Sequence, residues 1–495
     1  MEITIESPTL AKVTNASQEQ IDTLRQQFAY EDGKIKEELR RHRNNRWWKQ
    51  KNYDTWEDRE IELLSQVRCN VLTDTGANFT MKAGSIPYIR GVEYTLTNKI
   101  SYPALKPIKW AVEPEFDPYE YQGTSVVELL KIGHGNVELP TGCGKSFILM
   151  MLAQQIGEDV VIVVPSASIF KELMHEFQIR LGKKNVGGYG DGKKDIKKPI
   201  TIAIGRSVTM LKEGTPQYDF FANKKALLVD ESHTWGADGL DKVCHGVLKD
   251  APRRFFMSAT QTRGDGTVKV LQSIVGKNVL QMSISDAIDK GFLCPLKFYV
   301  KTTFSPSTLR KSDPLECKRE HLLRNQEVAK FFANISNVMW ESMQESTLIL
   351  VEELSQIARI AKLLKVPYTY IHSGSKKDAA IWGLEKVNLT DELERFNSGE
   401  VRVLIGTKSI ATGTNIYPTH NVCNWVGGSS EIVTKQGTMG RATRWMKKKY
   451  AKFHKPKTQS KIWDVDVVKQ TILGNQLKKR VKYYEETGEE VVYVK

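Results

Sequence analysis

The stretch richest in chemistry is Leu139-Pro140-Thr141-Gly142-Cys143-Gly144-Lys145-Ser146, set between the apolar run NVELP and the segment FILMMLAQQI. Glycines at a strand-to-helix turn let backbone N–H groups curl around phosphate oxygens, and the helix N-terminus adds a favourable dipole. In that pattern Lys145 reaches the outer phosphates of a nucleoside triphosphate and the Ser146 hydroxyl ligates Mg2+. The strict motif wants a small residue where Leu139 stands, so a glycine-rich turn ending in Gly-Lys-Ser by chance is the plain alternative. About 85 residues on, the buried-strand run Ala226-Leu227-Leu228-Val229 ends in Asp230-Glu231-Ser232-His233. Carboxylates at the carboxyl end of a parallel strand lie where such sheets bind ligands. Asp230 is suited to hold magnesium, directly or through water, and Glu231 to orient and deprotonate an attacking water. Either motif alone has a bland explanation. Together they point to triphosphate hydrolysis.

Phosphoryl transfer also needs positive charge from outside the phosphate loop, and a fixed guanidinium fork supplies it. After Val403-Leu404-Ile405-Gly406-Thr407 and Gly413-Thr414-Asn415, a predicted helix carries Gly440-Arg441 and then Arg444. Arginines at that spacing share a helix face. Small hydroxyls and backbone amides at Pro165-Ser166, Gly205-Arg206 and Thr407-Lys408 suit phosphate oxygens of a polynucleotide. Two lysine-rich segments add charge: Lys183, Lys184, Lys193, Lys194, Lys197 and Lys198 in a glycine-rich loop, and Lys447 to Lys449. Near the N-terminus Trp47 and Trp48 stand among Arg40, Arg41, Arg43, Arg46, Lys49 and Lys51. Either these indoles stack on bases while the basic groups neutralise phosphates, or both fill a small core beneath a solvated basic helix.

These groups need elements to hold them. From about residue 120 the chain alternates short apolar strands with helical segments, as a parallel sheet covered by helices requires. The predicted strands are NVELP, 159–165, 199–205, 226–230 and 254–260, then 347–351, 368–373, 401–407, 420–426 and 461–465. Two tandem α/β domains follow from this, joined near 280–298. Prolines 103, 107, 114 and 118 mark a linker before them. The expected divisions are a small α+β accessory domain over 1–110, α/β domains over 111–294 and 295–470, and a C-terminal tail over 471–495.

With 40% apolar and 26% charged residues in 495, the chain is an ordinary globular one with several cores. No apolar run reaches eighteen residues and MEITIESPTL is no signal sequence, so a soluble cytoplasmic protein without membrane contact is expected. Six scattered cysteines without a Cys-x-x-Cys pair suggest reduced thiols rather than disulfides or zinc. A net charge of +14 favours an anionic partner such as nucleic acid.

The ordered set Tyr121-Gln122, LPTGCGKS, DESH, Ser258-Ala259-Thr260, Gly413, and Gly440-Arg441 with Arg444 resembles the superfamily 2 helicases. That resemblance implies two RecA-like domains with an ATP and Mg2+ site in the cleft between them. Gln122 would read adenine, Ser258 to Thr260 would couple hydrolysis to domain movement, and Arg441 and Arg444 would be arginine fingers. Pro165, Ser166, Gly205, Arg206, Thr407 and Lys408 match the strand-tracking positions. Two departures stand out: Gln436 lies one place before the family's usual glutamine, where Gly437 stands, and Asn415 replaces the usual aspartate. Leu24 to Phe28 and Asp54 to Leu64 resemble the accessory domain of phage UvsW-type recombination helicases. This implies work on branched DNA in replication, recombination or repair, in a bacterial or phage-infected cytoplasm. An RNA helicase, the motor subunit of a nuclease or restriction system, and a binding module with a decayed ATPase are the competing readings. A monomer is the working expectation.

Overall fold

The computed structural model describes all residues except 73–75, 115–117, 236, 260–265, 308–312, 408–415, 432, 447 and 495; for 237, 238, 436, 448 and 449 it describes the backbone alone. The chain divides into two compact units, Met1–Leu139 with Gly144–Gln281, and Pro140–Cys143 with Met282–Lys495. No helix among the described residues is long and apolar enough to cross a membrane.

The first unit opens with a four-stranded sheet in the order Phe79–Lys82, Leu10–Thr14, Glu2–Ile5, Thr95–Asn98. Helix Gln18–Phe28 covers it, burying Ile21, Leu24 and Phe28, and starts at Ser17 with a reciprocal capping box to Gln20. Helices Gly33–Asn44, Arg46–Lys51 and Tyr53–Val67 then form a hairpin, closed by the antiparallel strands Ala29–Glu31 and Arg68–Asn70. This α+β domain is seated on helix Val268–Val275. Val270 packs against its core. Lys269 Nζ donates to the Ala29 carbonyl at 2.6 Å and Tyr88 Oη to that of Gly276 at 2.7 Å. Lys82 pairs with Asp241.

The expected linker is instead a strap bound along the following domain. Lys106 and Ile108 donate backbone N–H groups to Ile156 and Gln154 (3.1 and 2.9 Å), and Ala111 donates to Arg180 (2.8 Å). Trp110 stacks on Phe147 at 6.4 Å. Proline removes donors and fixes φ, which favours an extended strap as readily as a free linker.

The eight-stranded sheet runs Lys193–Asp195, Val186–Gly190, Ile200–Ile204, Val160–Val164, Ala226–Val229, Arg253–Ser258, His134–Glu138, Lys277–Gln281. Every pairing is parallel except that of the first two strands. Its central strands are buried on both faces, which explains their near-continuous valine, leucine and isoleucine. The five strands expected in this half are present, each within two residues of its predicted ends.

In the second unit seven strands pair in parallel, ordered Tyr368–Ile371, Val403–Thr407, Thr347–Val351, Asn421–Asn424, Ser460–Val467, Leu296–Thr303, Val491–Val494. The expected tail over 471–495 is no tail. Helix Thr471–Glu485 buries Leu473, Leu477 and Tyr484 in the core, and Val491–Val494 adds an edge strand beside Leu296–Thr303. The unit opens at Met282 rather than 295, because Ile284 and Ile288 pack against its core.

Candidate nucleotide-binding site

Strand His134–Glu138 delivers the phosphate loop, and Leu139 N–H donates to the Ser258 carbonyl at 2.9 Å, extending the ladder into the loop. Leu139 is fully buried, which accounts for a large apolar residue where the motif wants a small one. Cys143 is also buried, Thr141 half-buried and Gly142 exposed. Gly144 caps helix Lys145–Ile156 in the left-handed region, φ 80° and ψ 30°. Lys145 is buried, and its Nζ donates to the Leu139 carbonyl at 3.0 Å, so the ammonium lies across the loop. Ser146 is half-buried on the first turn. The Gln122 amide comes down on the same loop: a Cβ at Gly144 would fall 2.3 Å from Gln122 Nε2. Gln122 Oε1 accepts the Tyr119 N–H at 3.0 Å. The groups expected to bind phosphates and to read adenine are thus brought together.

Asp230 and Glu231 follow strand Ala226–Val229 at the carboxyl edge of the sheet, with Pro165 and Gly205 beyond the ends of neighbouring strands. Asp230 is 4% exposed and accepts the Glu231 N–H at 3.0 Å. Burial first, then the adjacent Glu231 carboxylate, push Asp230 up to about 7, while the Lys145 ammonium draws it back. A buried carboxylate so short of positive charge suits a divalent cation. Among the described residues no group of three or more His, Cys, Asp or Glu side chains could hold a metal. Magnesium fits that arrangement, because it keeps waters and is held by one or two carboxylates plus substrate phosphates. Asp230 and the Ser146 hydroxyl are the protein groups that would hold it.

Glu231 sits at φ 48° and ψ 46°, and the chain then tightens into the 3-10 turn Ser232–Thr234. That turn buries His233, whose Nδ1 lies 3.0 Å from Ser258 Oγ and 3.5 Å from Glu231 Oε2. Ser258 is therefore tied to the acidic loop through His233; Thr260 lies outside the described residues. Trp235 is a residue that the motifs did not single out. Its Nε1 donates to the Asp230 carbonyl at 3.4 Å, and its ring so fills the space beside Gly205 that a Cβ there would fall 1.6 Å from Trp235 Cη2. One indole thus touches the backbones of Asp230 and Gly205. Its only advance signal was an aromatic directly after DESHT.

The tracking residues are only partly placed. Ser166 caps helix Ala167–Leu181, accepting the Ile169 N–H at 3.4 Å, and Pro165 beside it is half-buried. Arg206 is exposed on the short helix Gly205–Thr209. Thr407 ends its strand nearly buried. Lys408, Gly413 and Asn415 lie outside the described residues, as does Lys447 of the second lysine-rich run. Lys193 and Lys194 form an exposed edge strand, flanked by exposed Lys183, Lys184 and Lys197.

In the second unit the expected helix carrying both arginines is shorter than predicted. Residues Val433–Met439 form a π-helix, and Gly440–Ala442 a three-residue helix, so Arg441 is helical and Arg444 lies beyond the end. The two do not share a helix face. The helix stops because outside donors take its carbonyls: Lys457 Nζ reaches those of Ala442 and Arg444 at 2.5 and 2.6 Å, and Cys294 N–H that of Thr443 at 2.7 Å. Arg441 is buried, its own carbonyl accepting from Thr419 Oγ1 at 2.8 Å.

The N-terminal tryptophans do not share a core. Trp47 is 66% exposed with Lys51 Nζ 4.7 Å above its ring, and Trp48 is half-buried, edge-on to His42 at 5.1 Å. The core indole is Trp56, which stacks on His42 at 4.7 Å and donates Nε1 to the His42 carbonyl at 3.2 Å. Arg40 and Arg41 pair with Glu37, and Arg43 with Glu60.

Residues 115–263 match the family described as type III restriction enzyme, res subunit, and 329–446 match the helicase conserved C-terminal domain. The ATP-dependent DNA helicase uvsW of Enterobacteria phage T4 is 22% identical over 367 residues, covering 70% of this chain and 68% of that one. The DNA 3'-5' translocase XPB2 of Sulfurisphaera tokodaii is 22% identical over 401 residues, covering 72% and 83%. A fragment of a putative HsdR subunit of a type I restriction enzyme from Vibrio vulnificus has the same fold, with a TM-score of 0.54 at 17% identity, covering 77% of this chain and 70% of that one.

Proposed function

The chain belongs to the superfamily 2 helicases, and on that premise we propose that it is an ATP-driven DNA motor that opens or remodels branched DNA. Nucleotide enters at the phosphate loop, where Lys145 and the loop N–H groups hold the phosphates and Gln122 meets the base. Asp230 and the Ser146 hydroxyl would hold magnesium, which would supply positive charge to the phosphates. Glu231, which follows Asp230 in a left-handed backbone conformation, orients and deprotonates the attacking water. Arg441 and Arg444 of the second RecA-like unit stabilise the transition state.

The observation that carries the branched-substrate reading is Trp47. It is an exposed indole among basic side chains, on a helical hairpin whose domain is fastened to the first RecA-like sheet. An indole so presented stacks on an unpaired or end base, while neighbouring cations meet duplex phosphates. Two relatives, named a DNA helicase and a DNA translocase, favour DNA as the polymer. ATP turnover and unwinding compared across single strand, duplex, fork, four-way junction and RNA test this reading. Forks or junctions should stimulate most; a maximum on linear duplex or on RNA would replace the substrate assignment.

A further inference from the structure

A π turn takes one residue more than an α turn; it is rare, and it is found frequently at functional sites. The turn over Val433–Met439 sits where Gln436 is one place out of the family's register, which is the offset that one additional residue in a turn absorbs. Such a turn needs outside support, and helix Thr471–Glu485 provides it at two points. Arg480, 3% exposed, donates from Nε and Nη2 to Asp464 at 2.7 and 2.9 Å, and from Nη1 to the Gly428 carbonyl at 2.5 Å, in the loop that leads into the π turn. Tyr484 and Asn424 complete the Asp464 cluster at 2.8 and 3.2 Å. On the π turn itself, Lys435 Nζ meets Glu431 at 2.9 Å and Glu486 at 2.5 Å, and lies 5.2 Å over the Tyr483 ring. The helix that makes these contacts is itself fixed, since Tyr484 is buried and stacks on Phe298 at 4.5 Å.

We propose that the C-terminal helix is a positioning element for ATP hydrolysis: Arg480 and the Lys435–Glu486 pair hold the π turn and, through it, Arg441 and Arg444. This rests on reading those arginines as transition-state groups. Misplacing a catalytic group by about 1 Å costs on the order of 100-fold in rate. Buried Arg480 alone would confuse stability with positioning, so the half-exposed pair leads the test.

In full-length protein carrying Glu431→Gln, which leaves Glu486 as the carboxylate bonded to Lys435, the comparison is between Lys435→Glu, Glu486→Lys and the double exchange. Arg480→Lys, which keeps the charge but not the three-way fork, is measured in the wild-type background, and Arg441→Ala serves as reference. Each single change should lower DNA-stimulated kcat roughly 10- to 100-fold with KM for ATP and DNA affinity unchanged, and the double exchange should restore most of it. Wild-type kcat in both single exchanges, or a double exchange no better than the singles, overturns the proposal; if Arg441→Ala is still inactive, the arginine reading survives. If Lys435→Glu does not fold, Glu486→Lys and Arg480→Lys decide, and melting changes without a fall in kcat count against positioning. Wild-type turnover by Arg441→Ala removes both the arginine reading and this proposal.

Discussion

Gly144→Ala tests whether the phosphate loop and Gln122 form one structure. At φ 80° an alanine pays roughly 1–2 kcal/mol for a left-handed backbone. The new Cβ would also stand 2.3 Å from Gln122 Nε2, so the amide must move. Gln122 is 3% exposed and accepts the Tyr119 N–H, and breaking a buried hydrogen bond of that kind costs about 1–3 kcal/mol. The sum is about 2–5 kcal/mol, enough to lower the melting of the first unit by several degrees and to weaken nucleotide binding. In a Gln122→Ala background the clash is gone and only the backbone cost remains. The assay is a double-mutant cycle read by thermal melting and by binding of a fluorescent ATP analogue. The reasoning is refuted if Gly144→Ala costs nothing, or if its full cost persists without the Gln122 side chain.

The N-terminal indoles should separate cleanly: Trp56→Ala lowers the melting temperature, whereas Trp47→Ala leaves it unchanged and weakens fork or junction binding, each followed by melting and by fluorescence anisotropy. Burial holds His134 down at about 3 against an ordinary 6.5, so in that window the unfolded chain binds a proton that the folded chain does not. Its contribution is therefore complete above pH 6.5 and is lost as pH falls toward 3; His134→Gln should flatten the acid limb of stability against pH by up to about 1.4 kcal/mol per unit. Replacing Lys193, Lys194, Lys197 and Lys198 together should flatten the salt dependence of DNA affinity, whose log–log slope is about −0.9 per duplex phosphate neutralised; an unchanged slope would make that edge strand a solvated surface.

The parallel sheets were legible wherever a strand is buried on both faces, because VVIVV, ALLV and TLILV leave no other reading. Val186–Gly190 was not, since VGGYG has the composition of a turn and becomes a strand through pairing with Ile200–Ile204 and Lys193–Asp195. Leu296–Thr303 sets Lys297, Tyr299 and Lys301 between Leu296, Phe298 and Val300, the alternation of a half-exposed strand, yet it is enclosed by Ser460–Val467 and Val491–Val494. The C-terminal helix looked like a tail because its partners, Asp464 and Gly428, are distant in sequence. In the site, spacing alone singled out the proposed phosphate loop and acidic pair, whose chemistry requires contiguous residues. Trp235 and Lys457 act on backbone carbonyls, which any sequence can offer, so no pattern announces them. The predicted helix for Arg441 and Arg444 failed for the same reason: tertiary donors end it after Ala442.

The central claim is that this chain couples ATP hydrolysis to nucleic acid through the Lys145 loop. The direct measurement is ATP turnover by purified wild-type and Lys145→Ala protein, with and without forked DNA, alongside DNA affinity for both. Wild-type turnover should rise with DNA, and Lys145→Ala should lose turnover while binding DNA as before. Turnover indifferent to every nucleic acid, or a folded Lys145→Ala protein that loses DNA binding and hydrolysis together, would contradict the account.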